Sequence, residues 1–193
     1  MEKGRETFLG EVTRCAQELG IASVQEIDPK ILVPEQWVRT LCEEDKCGNY
    51  GKNYTCPPLV GTLGEMKERL ASFNRGILFQ YATPVDVKGD RKGVQESKVD
   101  FHRKILELEG FFILRGIRDL WGMIGGSCSL CGVCHARAEK PCPQPEDARS
   151  SLESLGIAII PLLEALGLDN AFHPDKITWT GCILFNPGKP FAG

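Results

Sequence analysis

Cys128-Ser-Leu-Cys131-Gly-Val-Cys134 sets a cysteine at every third position, and Cys142 follows between Pro141 and Pro143. Three thiolates spaced this way in a looping backbone can converge on three corners of a compact cluster, and a fourth a few residues on can close it. Bacterial ferredoxins use C-x2-C-x2-C-x3-C-P, in which the fourth cysteine serves a partner cluster. Here seven residues separate Cys134 from Cys142, so Cys142 need not play that swapped role. Zinc is the competing metal, yet zinc sites typically use two C-x2-C pairs with a long gap between them. Spacing and ligand softness therefore favour one 4Fe–4S cluster on Cys128, Cys131, Cys134 and Cys142. His135, Arg137 and Lys140 fall inside the last gap. Cations there would stabilise the reduced form of an anionic cluster and raise its potential. With four cysteines at hand, His135 reads as a solvated loop residue.

Cys42, Cys47 and Cys56 form a second group, followed by Pro57-Pro58. Its first gap does not match the C-x3-C-x2-C of radical enzymes that use S-adenosylmethionine. Gly48, Asn49, Gly51 and Asn53 suit the turns needed to wrap a metal site. Whether that metal is a second iron–sulfur cluster or zinc stays open at this point, and so does its fourth ligand. Cys15 lies on an apolar helix stripe and Cys182 in an apolar strand, and both read as core residues. An open metal position is what Lewis-acid catalysis requires, whereas Glu43, Glu44 or Asp45 would close it.

The elements that must carry these loops are legible from periodicity. Phe8, Val12, Cys15 and Leu19 mark an amphipathic helix closed by Gly20. A short helix is expected around Glu35 to Leu41, with an irregular loop after it. Thr62-x-x-Glu65 has the form of a capping box ahead of Met66, Leu70 and Phe73. Strands are expected at Ile77 to Ala82, Leu120 to Ile124 and Ile177 to Phe185. Between the first two lies the longest helix, about Val94 to Leu114. Further helices are expected to begin at Pro145 and at Pro161. This order implies an α/β or α+β fold, a small sheet covered by helices, with cysteine-rich loops at about 42–58 and 126–145. The length suits a single domain over 1–193.

A formal net charge of −3, with no basic stripe, excludes an electrostatic case for nucleic acid. No apolar run reaches the roughly 18 residues of a membrane span, and the N-terminus lacks the apolar stretch of a signal peptide. A cytoplasmic location is therefore expected. There, clustered cysteines mean metal or redox chemistry more often than disulfides.

Two stretches carry a resemblance to a known family. Cys47-Gly-Asn-Tyr-Gly-Lys-Asn-Tyr-Thr-Cys56-Pro-Pro resembles the first signature of the metal-binding domain of unknown function family 2284. Cys128 through Cys142, continuing as Pro-Gln-Pro145-Glu-Asp-Ala-Arg149-Ser-Ser-Leu-Glu153-Ser-Leu-Gly156-Ile157, resembles the second. The resemblance spans about Leu41 to Phe185. It implies a small cytoplasmic metalloprotein of an anaerobic microbe that binds iron–sulfur clusters through Cys42, Cys47, Cys56, Cys128, Cys131, Cys134 and Cys142. Pro143 departs from the pattern, standing where a basic residue is expected. Cys182 falls outside both signatures.

The function expected first is electron transfer to a partner redox protein. No dinucleotide fingerprint or phosphate-binding loop is present, and His102, His135 and His173 are scattered. Two alternatives remain: an enzyme using an open iron at Cys42, Cys47 and Cys56, and a zinc-stapled interaction module or metallochaperone.

Overall fold

The computed structural model describes residues 2–188, with side chains from residue 7 onward. Two long strands, β2 (Arg75–Pro84) and β4 (Lys176–Phe185), pair antiparallel over their whole length, from Arg75↔Phe185 to Pro84↔Lys176. β1 (Ser23–Ile27) adds to the free edge of β2 and β3 (Leu120–Met123) to that of β4, giving the order β1-β2-β4-β3. All three pairings are antiparallel.

Strand alternation sends apolar side chains to both faces of this sheet, so both must be covered. Ile77, Phe79, Ile183 and Phe185 pack with Val12 and Ala16 of α1 (Glu2–Glu18) and with Phe101, Ile105, Leu108 and Phe112 of α4 (Arg91–Leu114). On the other face, Leu78, Cys182 and Leu184 meet Met66 and Leu70 of α3 (Leu63–Ala71) and Leu162 and Leu163 of α5 (Ile159–Ala165). Leu152, Leu155 and Ile157 complete that second core. Gly181 is required between the layers: a Cβ there would lie 2.6 Å from the Met123 carbonyl and 2.9 Å from the Phe101 ring. The result is a mixed α+β fold, as expected. Among the described residues, no helix is long and apolar enough to cross a membrane.

Most sequence expectations hold locally. The capping box is complete, with Glu65 N donating to Thr62 Oγ1 at 3.2 Å and Thr62 N to Glu65 Oε2 at 2.6 Å. α4 starts three residues earlier than expected because Asp90 accepts from Gly93 N at 2.8 Å and caps the helix there. α2 (Gln36–Glu43) lies where a short helix was expected.

One strand was missed and one expected helix is absent. β1 was not anticipated; it is a sheet edge on which Ile27 alone is buried, so it carries almost no alternating signal. No helix begins at Pro145. Gln144 O accepts from Asp147 N and Ala148 N, but the carbonyls of Glu146, Asp147 and Ala148 are taken by side chains. Arg149 Nη1 donates to Glu146 O and Ala148 O, and the His102 ring bonds Asp147 O. Ile124 N then takes Ser150 O, drawing the chain alongside β3.

Candidate metal centre

The first cysteine loop leaves the last turn of α2, which carries Cys42. α2 is held from beneath by buried Arg39, whose guanidinium donates to Ser154 O and Gly61 O. Asp45 then turns the chain in the left-handed region at φ +48°. Its carboxylate accepts from Tyr50 N at 2.8 Å and from Lys52 Nζ at 2.6 Å. Gly48 and Gly51, at φ +70° and +66°, complete the wrap, and Gly51 N reaches Pro57 O at 2.8 Å. Cys47 and Cys56 are thereby brought into Coulombic reach of Cys42 and of each other.

The second loop follows β3. Cys128, Cys131, Cys134 and Cys142 line one pocket of about 20 Å³, together with Asn53 and Thr55 from the first loop. Gln144 Nε2 lies 3.7 Å from Cys131 Sγ, a long contact of the kind that tunes a thiolate. His135 also lines this pocket, at the start of a 3-10 turn (His135–Ala138). Arg137 Nη2 donates to Gly48 O, and the backbone carbonyl of Lys140, whose side chain is exposed, accepts from Tyr54 Oη at 2.9 Å.

Those last contacts belong to a set that joins the two loops. Asn53 Nδ2 donates to Cys128 O at 2.9 Å, and Cys128 N donates to Thr55 Oγ1 at 3.3 Å. Asn49 Nδ2 donates to Ser127 Oγ at 3.2 Å. Asn53 and Thr55 are buried, with Asn53 Oδ1 accepting from both Thr55 N and Thr55 Oγ1. Sequence reading treated Asn49 and Asn53 as turn formers only. The available signal was the density of amide and hydroxyl groups between Cys47 and Cys56, more than two turns require.

α4 supports both loops from one side. Lys98, His102 and Glu109, four and seven residues apart, lie on one helix stripe. The Lys98 stem packs over Gly126, where a Cβ would lie 3.1 Å from its Cδ. Burial lowers the Lys98 pKa, while the thiols of Cys128, Cys56 and Cys47 act against that shift. One half-buried ammonium thus serves both cysteine groups. Glu109 takes a bidentate pair from Arg149, Nε to Oε1 at 2.8 Å and Nη2 to Oε2 at 2.6 Å, which pins the exit of the second loop.

Burial sets the state of the thiols. It pushes Cys56 up to about 12, helped by Cys47 and Cys42, and raises Cys42 and Cys128 as well. These thiols are neutral at pH 7, so a metal must displace their protons on binding. Cys182 lies fully buried in β4 and Cys15 packs partly buried against the α1–α4 core. Of the loop acids considered as a fourth ligand, Asp45 is committed to Tyr50 and Lys52, Glu44 pairs with Lys46 and Glu43 is exposed.

Among the described residues, no three His, Cys, Asp or Glu side chains stand close enough to grip a single ion. The chemistry of the donor set nonetheless fits a soft metal: four thiols around one pocket, and three more in the loop bonded to it. One buried carboxylate oxygen near Cys42, Glu153 Oε2, has no hydrogen-bond partner among the described residues. No curated protein and no solved structure matches the chain. Residues 25–185 match the model of the family described as "Predicted metal-binding protein (DUF2284)", and the chain belongs to that family.

Proposed function

We propose that this protein is an iron–sulfur protein of a reducing compartment, the cytoplasm, that passes single electrons to a partner redox protein. In this reading Cys128, Cys131, Cys134 and Cys142 hold a 4Fe–4S cluster, and Cys42, Cys47 and Cys56 hold a second metal centre. The observation that carries it is the contact between the two cysteine loops: Cys56 and Cys134 lie within Coulombic reach. Adjacent centres are what an electron relay requires.

A bound cluster supplies one-electron chemistry at a potential set by charge, hydrogen bonds and exposure. The chain's residues act on those settings. Lys98 places one positive charge beside thiols of both loops. Gln144 approaches the Cys131 sulfur, and the Asn53 and Thr55 hydrogen bonds hold Cys128 in register.

The test is iron, zinc and acid-labile sulfide content of anaerobically purified protein, followed by EPR after reduction. About eight irons per chain are expected if both centres are 4Fe–4S, and about four if only one is. Cys131→Ser and Cys47→Ser should each remove metal from their own loop. A colourless protein with stoichiometric zinc and no sulfide overturns the proposal. That outcome is the second reading, a zinc-stapled module. The same measurement separates the two.

A further inference from the structure

We propose that the carboxylate of Glu153 is the fourth ligand of the metal centre built on Cys42, Cys47 and Cys56. The inference rests on the reading of those three cysteines as a metal site. Glu153 is distant in sequence, more than a hundred residues after Cys42. It opens a 3-10 turn (Glu153–Leu155) that packs against α2, the helix carrying Cys42. Arg39 of α2 binds Ser154 O and so fixes the turn to the helix.

Glu153, Cys42 and Cys47 line one groove of about 490 Å³, with Trp37, Leu41 and Ile160 among its apolar walls. The residue as a whole is only partly buried, but its Oε2 is sealed from solvent and unpartnered among the described residues. Its carboxyl accepts from its own backbone N–H and interacts with the Ser151 side chain, while Oε2 has no partner among the described residues. Burial raises the Glu153 pKa, so a sealed oxygen without a protein partner holds a proton or meets a cation in its place. Glu153 lies close enough to Cys42 to act on it electrostatically.

Oxygen and sulfur donors combine at iron and at zinc alike, so the assignment does not depend on which metal is bound. A carboxylate is a harder ligand than a thiolate and exchanges more readily at a soft metal. The groove beside it would admit a small molecule to the same position, so this site, rather than the four-cysteine one, is where ligand exchange is expected.

The experiment compares native protein with Glu153→Gln, Glu153→Cys and Cys47→Ser, each loaded anaerobically with ferrous iron and sulfide. Iron content and the Mössbauer spectrum are read, with urea midpoints of the metal-free proteins as the check on folding. Native protein should show one iron subsite with oxygen ligation. Glu153→Gln, equal in size but a poor ligand, should lose that subsite and about one iron per chain. Glu153→Cys should keep the iron and shift its spectrum to all-thiolate. Native iron content and spectrum in Glu153→Gln would overturn the ligand assignment and leave the three-cysteine site standing. An unchanged iron content in Cys47→Ser would overturn both. Should Glu153→Gln fail to fold, Glu153→Cys decides: a shifted spectrum supports the assignment, and an unshifted one removes it.

Discussion

His102, on α4, is almost fully buried. Its Nε2 faces the Asp147 carbonyl at 2.8 Å, so Nε2 carries the proton and donates. Nδ1 is buried without a partner among the described residues, and a second proton there would be an unsatisfied donor. Burial accordingly lowers the His102 pKa below its ordinary value. The sign follows from linkage: below about pH 6.5 the unfolded chain takes up a proton that the folded chain refuses. Folding stability from this residue is present above that pH and lost as pH falls toward the lowered folded value. His102→Gln should therefore flatten the fall in urea midpoint between about pH 7 and pH 5, relative to native protein. An unchanged slope would mean that other groups carry it.

α4 does two jobs at the level of the element. Phe101, Ile105, Leu108 and Phe112 fill the core, while Lys98, His102 and Glu109 hold the second cysteine loop and its exit. The apolar stripe was plain in the sequence, but the polar one was not, because its partners Gly126, Asp147 and Arg149 lie beyond the helix. Glu109 is buried, and the Arg149 pair is its compensation. Glu109→Ala strands the guanidinium, and a loss of about 3 kcal/mol is expected in urea denaturation, the scale of a broken buried pair. Gly122 of β3 makes room for the same carboxylate: a Cβ there would lie 2.0 Å from Glu109 Oε1. Gly122→Ala should thus also destabilise, and its cost should shrink in the Glu109→Ala background, because the clash partner is gone. Strictly additive costs would separate the glycine from the ion pair.

Across the whole molecule, the two cysteine loops are one assembly made from chain segments far apart in sequence. Asn53, Thr55, Tyr54 and Arg137 bond across them, and α4 underlies both. A metal bound in either loop stabilises the folded form, and the contacts should pass part of that gain to the other loop. Hydrogen exchange on metal-loaded and metal-free protein is expected to show amides in 42–58 and in 126–149 slowing together. Cys131→Ser, which disables the second loop, should lower protection in the first as well. Independent responses of the two loops would refute this coupling.

The sequence by itself determined the elements whose information is local. Helix stripes, a capping box, two apolar strands and the short strand at Leu120 follow from the side chains inside each segment, because period and capping are short-range properties. The grouping of cysteines and the family membership are equally local, since both reside in short motifs. Only the tertiary structure decided what depends on distant partners. It made an edge strand of Ser23–Ile27, kept Pro145 from starting a helix, and turned Asn53 and Thr55 into links between the loops. It also brought the Glu153 carboxyl, from far along the chain, into the groove lined by Cys42 and Cys47. Spacing tells which thiols can meet on one loop, but not which buried oxygen the fold brings to them.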